Sequence, residues 1–393
     1  MRAAALTPSA TFDAVVIGAG PAGAMAAREL ARRGIDVLLV ERKTLPRPKV
    51  CGACLNGRAI SWLKLAGLDG LLSQLGAIPT RRFCAYCQQK MVEIELPGGA
   101  ALSREALDHG LAQAAVRAGT HLLTDTTATV RGGVSPWREI ELRNSSGRTE
   151  VVRAKVVLAA DGLGHPALAS CREFVSRISR RTKIGVQASL CDRFDRFAAG
   201  TIYMTVGEKG YAGLVRVEDG SINLAAAVAP DALKRAGSPA AAVGAIFREA
   251  GLEQTDIANL DLSSAAWQGT LPLTRRTVRP VAHRVFVLGD AAGYVEPFTG
   301  EGIAWALASG MAVADFAARG LDGWSRQVEQ GWLAAYGKQV RRRQLWCRAF
   351  AALLRRPCLA RAALELASAW PALCRPIVAS LNRPAQSLEL ARL

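Results

Sequence analysis

Six consecutive residues, Gly18-Ala19-Gly20-Pro21-Ala22-Gly23, have the spacing that lets a main chain hold a diphosphate. Gly18 permits a tight turn, Gly20 lets the backbone approach a pyrophosphate, and Gly23 lets the next helix lie close to the preceding strand. The N-terminus of that helix offers free N–H groups and a partial positive charge to the phosphates. Glu41 stands eighteen residues past Gly23, with Arg42 beside it, and is placed to accept hydrogen bonds from a ribose. A plain glycine-rich turn would have no need of that acid.

A second group lies far downstream. Gly289-Asp290-Ala291-Ala292-Gly293 runs on through Glu296-Pro297-Phe298 to Gly300-Glu301-Gly302-Ile303. Asp290 is placed to hold a hydroxyl of a polyol chain. A helix starting near 300–302 aims its positive end at a ring that becomes anionic on reduction. Glu296 or Glu301, set in an apolar pocket, would hold a proton and donate it; Glu301 equally suits the start of a helix. Pro297 and Phe298 read as wall residues. Arg104 and Asp108 stand one helical turn apart, as a phosphate or ribose contact or as a surface ion pair. Asp161-Gly162, with Gly164 close behind, allows close backbone approach. Single histidines (His109, His121, His165, His283) read as structural.

The cysteines form two C-x-x-C pairs, Cys51/Cys54 and Cys84/Cys87. Two pairs are the ligand count of a tetrahedral zinc site, but the 29-residue gap exceeds the usual knuckle spacing, and no metal is expected. A redox dithiol and a tightly packed loop of buried thiols are the other readings. Nine cysteines, an odd count, argue against a disulfide framework.

Strong local elements must position these groups. Residues 12–17 read as a buried strand, 24–33 as a helix ended by Gly34, and 35–40 as a second strand. A basic, proline-containing loop follows over 42–50, then a helix over 56–66. Residues 80–100 alternate weakly and end at Pro97-Gly98-Gly99, as a strand pair with a turn would. Ser103 caps a helix over 103–118. Strands are expected at 121–130, 139–144, 149–152 and 155–160. Residues 171–265 carry four alternating strands and one helix, about 238–250. A buried strand at 285–288 precedes a long apolar helix at 301–319. Helices then dominate, broken by Pro357, Pro371 and Pro376. The fold class is α/β. A Rossmann-like domain of residues 1–80, 101–170 and 271–320 is interleaved with a substrate domain (81–100 and 171–270) on a mostly antiparallel sheet. A basic helical region, 321–393, completes the chain.

Half of the 393 residues are apolar, no tract is of low complexity, and no apolar run reaches membrane-span length. No signal-peptide segment is evident, so the expected location is cytoplasmic. The net charge is +17, and residues 331–393 hold eleven Lys or Arg against Glu365 and Glu389 alone. This is either a solvated surface or one attracted to an anionic membrane or an acidic carrier. Trp346, Phe350, Leu353 and Leu354 alternate there with Arg341–Arg343, Arg355 and Arg356. No nucleic-acid module accompanies the charge, so nucleic acid is not an expected partner.

The loop at 18–23, Glu41, Lys49-Val50-Cys51-Gly52, Arg104 with Asp108, Asp161-Gly162 and the 289–303 run occur in one order over about 300 residues. This set resembles the flavoproteins of the p-hydroxybenzoate hydroxylase fold, and among them the geranylgeranyl reductases and flavin-dependent halogenases. The resemblance implies FAD, held by Gly18, Gly20, Pro21, Ala22, Gly23, Glu41, Arg42, Cys51, Gly52, Arg104, Asp161, Gly162, Gly289, Asp290, Gly300, Gly302 and Ile303. It implies chemistry at Cys51, Glu296, Pro297 and Phe298, with Cys51-Gly52 beside the flavin ring. No second glycine loop is present, so either NAD(P)H would bind transiently or another donor would supply the electrons. The expected reaction is reduction of a C=C or quinone-like group on an apolar, aromatic or carrier-bound substrate. Hydroxylation with oxygen and a non-catalytic electron relay are the alternatives. Two departures stand out: the halogenase Trp-x-Trp-x-Ile-Pro is absent, and Tyr211-Ala212-Gly213-Leu214-Val215-Arg216 stands where the reductases carry Tyr-x-Trp-x-Phe-Pro. Tyr203, Tyr211 and Trp267 are candidate pocket aromatics.

Overall fold

The computed structural model describes residues 10–385 except 133–134, 192–196, 253–259, 297, 299, 355, 371 and 373. The first strand, β1 (Thr11–Ile17), is fully buried from Ala14 onward, as a strand covered on both faces must be. Helix α1 (Pro21–Ala31) follows at once, with proline in its first turn, where a missing N–H costs nothing. After β2 (Val37–Val40), a loop leads to α2 (Gly57–Leu65), whose first turn is capped by the Asn56 side chain accepting the Ala59 N–H at 2.9 Å. Strands β3 (Arg82–Cys87) and β4 (Lys90–Glu95) form a hairpin. Its turn is made by Gln88 and Gln89 at φ +46° and +64°, residue types that give no turn signal. Ser103 caps α3 (Arg104–Arg117) as expected, accepting the Ala106 N–H.

Four strands come next: β5 (His121–Leu123), β6 (Thr126–Val130), β7 (Arg138–Asn144) and β8 (Thr149–Ala159). Here the structure differs from the sequence reading. The expected strands at 149–152 and 155–160 are one, β8, eleven residues long. Its N-terminal part pairs antiparallel with β7, and its C-terminal part pairs parallel with β1 and with β15 (below). Lys155 does not break it, because its ammonium reaches Asp13 Oδ1 at 2.8 Å.

The antiparallel layer then runs β9 (Ile184–Leu190), β10 (Thr201–Val206), β11 (Gly210–Arg216), β12 (Ile222–Val228), helix α4 (Pro239–Glu249) and β13 (Gln268–Pro272). The chain returns through β14 (Val281–Ala282) and β15 (Val285–Val287) to the long α5 (Gly302–Asp322). The tail holds α6 (Arg326–Tyr336), α7 (Arg342–Leu354), α8 (Pro357–Ala369) and α9 (Arg375–Asn382). Pro357 and Pro376 sit in the first turns of α8 and α9, so they start helices as well as interrupting the run. Pro371 and Arg355 lie outside the described residues, as do the side chains of Phe350, Leu353 and Leu354.

Two large sheets result. The first has the order β14-β15-β8-β1-β2-β5, with β7 and β6 joined through β8. The second has the order β13-β9-β12-β11-β10-β3-β4, antiparallel except where β10 meets β3. That parallel pair exists because β3 and β4 come from an earlier part of the chain. Helices α1 and α5 cover the first sheet and touch almost backbone to backbone. A Cβ on Gly310 of α5 would stand 2.4 Å from the Ala22 carbonyl oxygen. Gly310→Ala is therefore expected to destabilise by about 1–3 kcal/mol. Gly323, with nothing within 4 Å, should accept alanine without loss. Thermal melting of the two variants checks this.

Candidate active site

A cavity of about 810 Å³ opens at the carboxyl ends of β1, β2 and β8 and extends across the second sheet. The phosphate loop forms one wall through Gly18, Gly20, Pro21 and Ala22. Gly18 turns at φ +101° against Ala160, where any Cβ would meet the Ala160 carbonyl at 2.5 Å. A Cβ on Gly23 would lie 1.9 Å from the Gly18 carbonyl, so Gly23 closes helix onto strand and does not line the cavity. At Gly20 only the Arg104 guanidinium comes within 4 Å, and the backbone face is open. Glu41, Arg42, Cys51, Gly52, Arg104, Asp161 and Gly162 also line it, as do Asp290, Gly300, Gly302 and Ile303 from the downstream run. Gly289 does not; it packs against Ala22 while its N–H donates to Ser309 Oγ at 3.1 Å.

Beneath the loop lies a buried charge network. Asp108 is 0% exposed; its Oδ1 accepts Arg104 Nε at 2.8 Å, and its Oδ2 accepts Arg104 Nη2 at 2.7 Å and Arg47 Nη1 at 3.0 Å. The other end of Arg47 donates to Glu41 Oε2 at 2.9 Å, an oxygen that also accepts the Ala19 N–H at 3.0 Å. The Arg104–Asp108 pair is thus a buried clasp and not a surface i,i+4 pair. Burial raises the Glu41 carboxyl, but Arg47 and the amides of Ala19 and Lys43 outweigh it and leave it below its ordinary range. Burial likewise works against the Arg104 charge, and Asp108 more than restores it. Arg47 was not legible as a site residue: its partner Asp108 is 61 positions away.

The remaining charges are less settled. Burial lowers the Lys49 ammonium, opposed by Asp290 and reinforced by the neighbouring Arg104, Arg47 and Arg42. Burial raises Asp290 despite Lys49 and Arg104. Asp161 is pushed up to about 6 by burial; one carboxylate oxygen accepts the Ala167 N–H at 2.8 Å, and the other is buried without a partner. Cations outnumber anions on the lining: Arg42, Lys43, Arg47, Lys49 and Arg104 against Glu41, Asp161 and Asp290. An open glycine backbone, an unpaired carboxylate oxygen and surplus positive charge fit a dinucleotide with its diphosphate and polyol chain. The other described lining residues carry no charge.

Cys51 is held by a ring of three hydrogen bonds that sequence reasoning missed. Its N–H donates to Gln187 Oε1 at 2.9 Å, Gln187 Nε2 donates to Asn223 Oδ1 at 2.7 Å, and Asn223 Nδ2 donates to the Cys51 carbonyl at 3.0 Å. Gln187 and Asn223 lie on β9 and β12, so the antiparallel sheet fixes this loop. The Cys54 thiol faces the cavity, and burial pushes it up to about 12, with Cys51 adding to the effect. All nine cysteines are unbridged. Among the described residues no group of three or more His, Cys, Asp or Glu comes together to hold a metal.

The expected acids are placed differently from the sequence reading. Glu296 is buried but does not line the cavity; its Oε1 accepts Lys183 Nζ at 2.9 Å, a partner 113 positions away. The sequence reading set Glu296 in an apolar pocket; the structure gives it a buried cationic partner instead. Glu301 precedes α5 without capping it. It accepts Arg343 Nη1 at 2.7 Å and the Cys347 thiol at 3.2 Å, both from α7. Phe298 lines the cavity edge-on to Tyr211, centroids 5.3 Å apart. Pro297 lies outside the described residues. Tyr203 and Trp267 pack within the antiparallel layer and do not line the cavity, whereas Tyr211 and Tyr294 do. Burial, with Glu296 near one and Asp290 near the other, raises both phenols well above their ordinary value.

One cavity with a charged nucleotide end and an uncharged sheet end, spanning a Rossmann-like and an antiparallel layer, defines an FAD-dependent oxidoreductase. Residues 11–344 match the family described as FAD binding domain, and the chain belongs to that family. It is similar to the menaquinone reductase of Mycobacterium tuberculosis (strain ATCC 25618 / H37Rv), 28% identical over 317 residues, 77% of this chain and 76% of that protein. It is also similar to digeranylgeranylglycerophospholipid reductase 2 of Methanosphaera stadtmanae, 27% identical over 337 residues, 79% of this chain and 78% of that protein. A triple mutant of the flavin-dependent brominase Bmp2 shares the fold with a TM-score of 0.80 at 17% identity, covering 94% of each chain.

Asp161 sets a pH dependence. Its folded value, about 6, lies above its ordinary 3.8, so the fold binds the proton more tightly than the unfolded chain does. Stability of the flavin-free protein therefore falls as pH rises from about 4 to 6. Asp161→Asn is expected to flatten that part of the profile, read by urea denaturation of both proteins across the range.

Proposed function

We propose that the chain reduces a quinone-like or C=C group of an apolar substrate, with NAD(P)H as the transient electron donor. One observation carries this reading: all eight charged residues lining the cavity stand at the nucleotide end. Phe83, Ile94, Ile202, Met204, Leu214 and Leu273 line much of the rest, with neutral polar groups at Thr80, Gln268 and Thr270. Burying a charge there without a partner would be costly, so the occupant is neutral and hydrophobic. The two reductases to which the chain is similar support the same choice.

FAD, once reduced, supplies hydride. The chain's own residues do the rest. Arg42, Lys49 and Arg104 would balance the diphosphate, and Glu41 and Asp290 would accept hydroxyls. Main-chain N–H groups opening α5 line the cavity and would stabilise negative charge on a ring bound there. The ring of Gln187 and Asn223 holds the Cys51 backbone in one position. Reduction of a quinone or alkene also takes up protons. Tyr211 and Tyr294 keep theirs at neutral pH, and each holds one at a phenol oxygen on the cavity wall.

Anaerobic stopped flow tests the reading. The enzyme reduced with NADPH should be reoxidised by a short-chain naphthoquinone faster than by dissolved oxygen. Oxygen uptake matched mole for mole by a hydroxylated product would sink it. Tyr211→Phe is expected to lower kcat about 10- to 100-fold with little change in flavin content.

A further inference from the structure

The tail exposes apolar surface in an ordered pattern. On α8, Leu359, Ala362, Ala363 and Leu366 stand on one face, and Trp370 extends that stripe, 65% exposed, just past the helix end. The flank of that stripe meets the second sheet: Ala367 packs with Ala85 and Val92 of β3 and β4. Leu345 and Trp346 of α7 are 59% and 71% exposed, and Ile377 of α9 is 44% exposed. Single exposed apolar residues need no explanation, but a helical stripe ending in tryptophan does.

Arginines accompany this surface. Arg341, Arg342 and Arg348 of this stretch are exposed, and so are Arg356 and Arg375. Between residues 331 and 385 the one carboxylate is Glu365, already paired with Arg361 at 2.9 Å. Arg348 sits near the cations Arg276 and Arg341, which disfavour its charge further after partial burial. Such a face repels a second copy of itself and attracts a surface that is both anionic and apolar. Helix α9 links the face to the cavity: Ile377 is exposed, while its neighbours Val378, Leu381 and Asn382 line the cavity wall.

We propose that α7, α8 and α9 form a docking face for an anionic lipid bilayer, and that α9 sets the cavity beside that bilayer so that a lipid-dissolved substrate enters from it. No helix among the described residues is long and apolar enough to cross a membrane, so the contact is interfacial. The docking part stands independently; the delivery part rests on the reductase reading above.

Flotation of the FAD-loaded full chain with vesicles separates the two. Binding to vesicles containing phosphatidylglycerol should exceed binding to pure phosphatidylcholine by about tenfold or more, and added salt should weaken it. Trp346→Ser with Trp370→Ser, and separately Arg341→Glu with Arg342→Glu, should each lower binding about tenfold. Flavin absorbance and reduction of a water-soluble short-chain quinone should stay unchanged in both. In the tryptophan variant, KM for a long-chain quinone in vesicles should rise. Equal binding to both lipids, or variants that bind as the parent does while retaining flavin, would overturn the docking. So would a lipid-free dimer that the tryptophan changes abolish, since a second copy would then cover the face. If the vesicles bind as expected but no quinone is reduced, the docking stands and the reductase reading fails.

Discussion

Asp108 is the fixed point of the nucleotide end. A fully buried carboxylate is costly unless its charge is met, and two guanidiniums meet it. Arg104 reaches it from its own helix, and Arg47 reaches it from the loop after β2. Through Arg47 the constraint passes to Glu41, and through Glu41 to the Ala19 amide of the phosphate loop. One anion thereby ties α3, a long irregular loop and the glycine turn into a single rigid cradle. With Asp108 removed, two buried cations would face each other with no anion between them.

The same network divides the cavity. Charges gather beside the glycine loop, and the antiparallel sheet supplies the neutral remainder. The interleaved topology makes this possible. Strands β3 and β4 leave the first layer early in the chain and join the second, so Phe83 and Ile94 face the same space as Gly20 and Asp290. Size alone would admit many molecules to such a chamber. The cost of stripping water from an ionised one narrows the choice.

Much of this could be read from the chain. The strand, turn and helix at 11–31 are legible because their requirements are local: positive φ at Gly18, close packing at Gly23, and an open backbone at Gly20 all fall within six residues. The cap at Ser103 and the long α5 are legible for the same reason. What escaped depends on partners far away in sequence. Nothing near Glu296 announces Lys183, so their ion pair could not be read from either stretch of the chain. Nothing near residues 149–159 says that one strand will change neighbours from β7 to β15 along one edge while β1 joins it on the other. Gln187 and Asn223 look like ordinary strand residues until the Cys51 loop is laid against them.

That last contact has a mechanical side. Because the Cys51 main chain is gripped at both its N–H and its carbonyl by one sheet, while the flanking loop is anchored by Arg47 to Asp108 of α3 and to Glu41 at the end of β2, the two layers cannot shear past one another without dragging the loop along. Room for a bulky guest is therefore made most cheaply away from this clamp, with the Cys51 backbone left in its station.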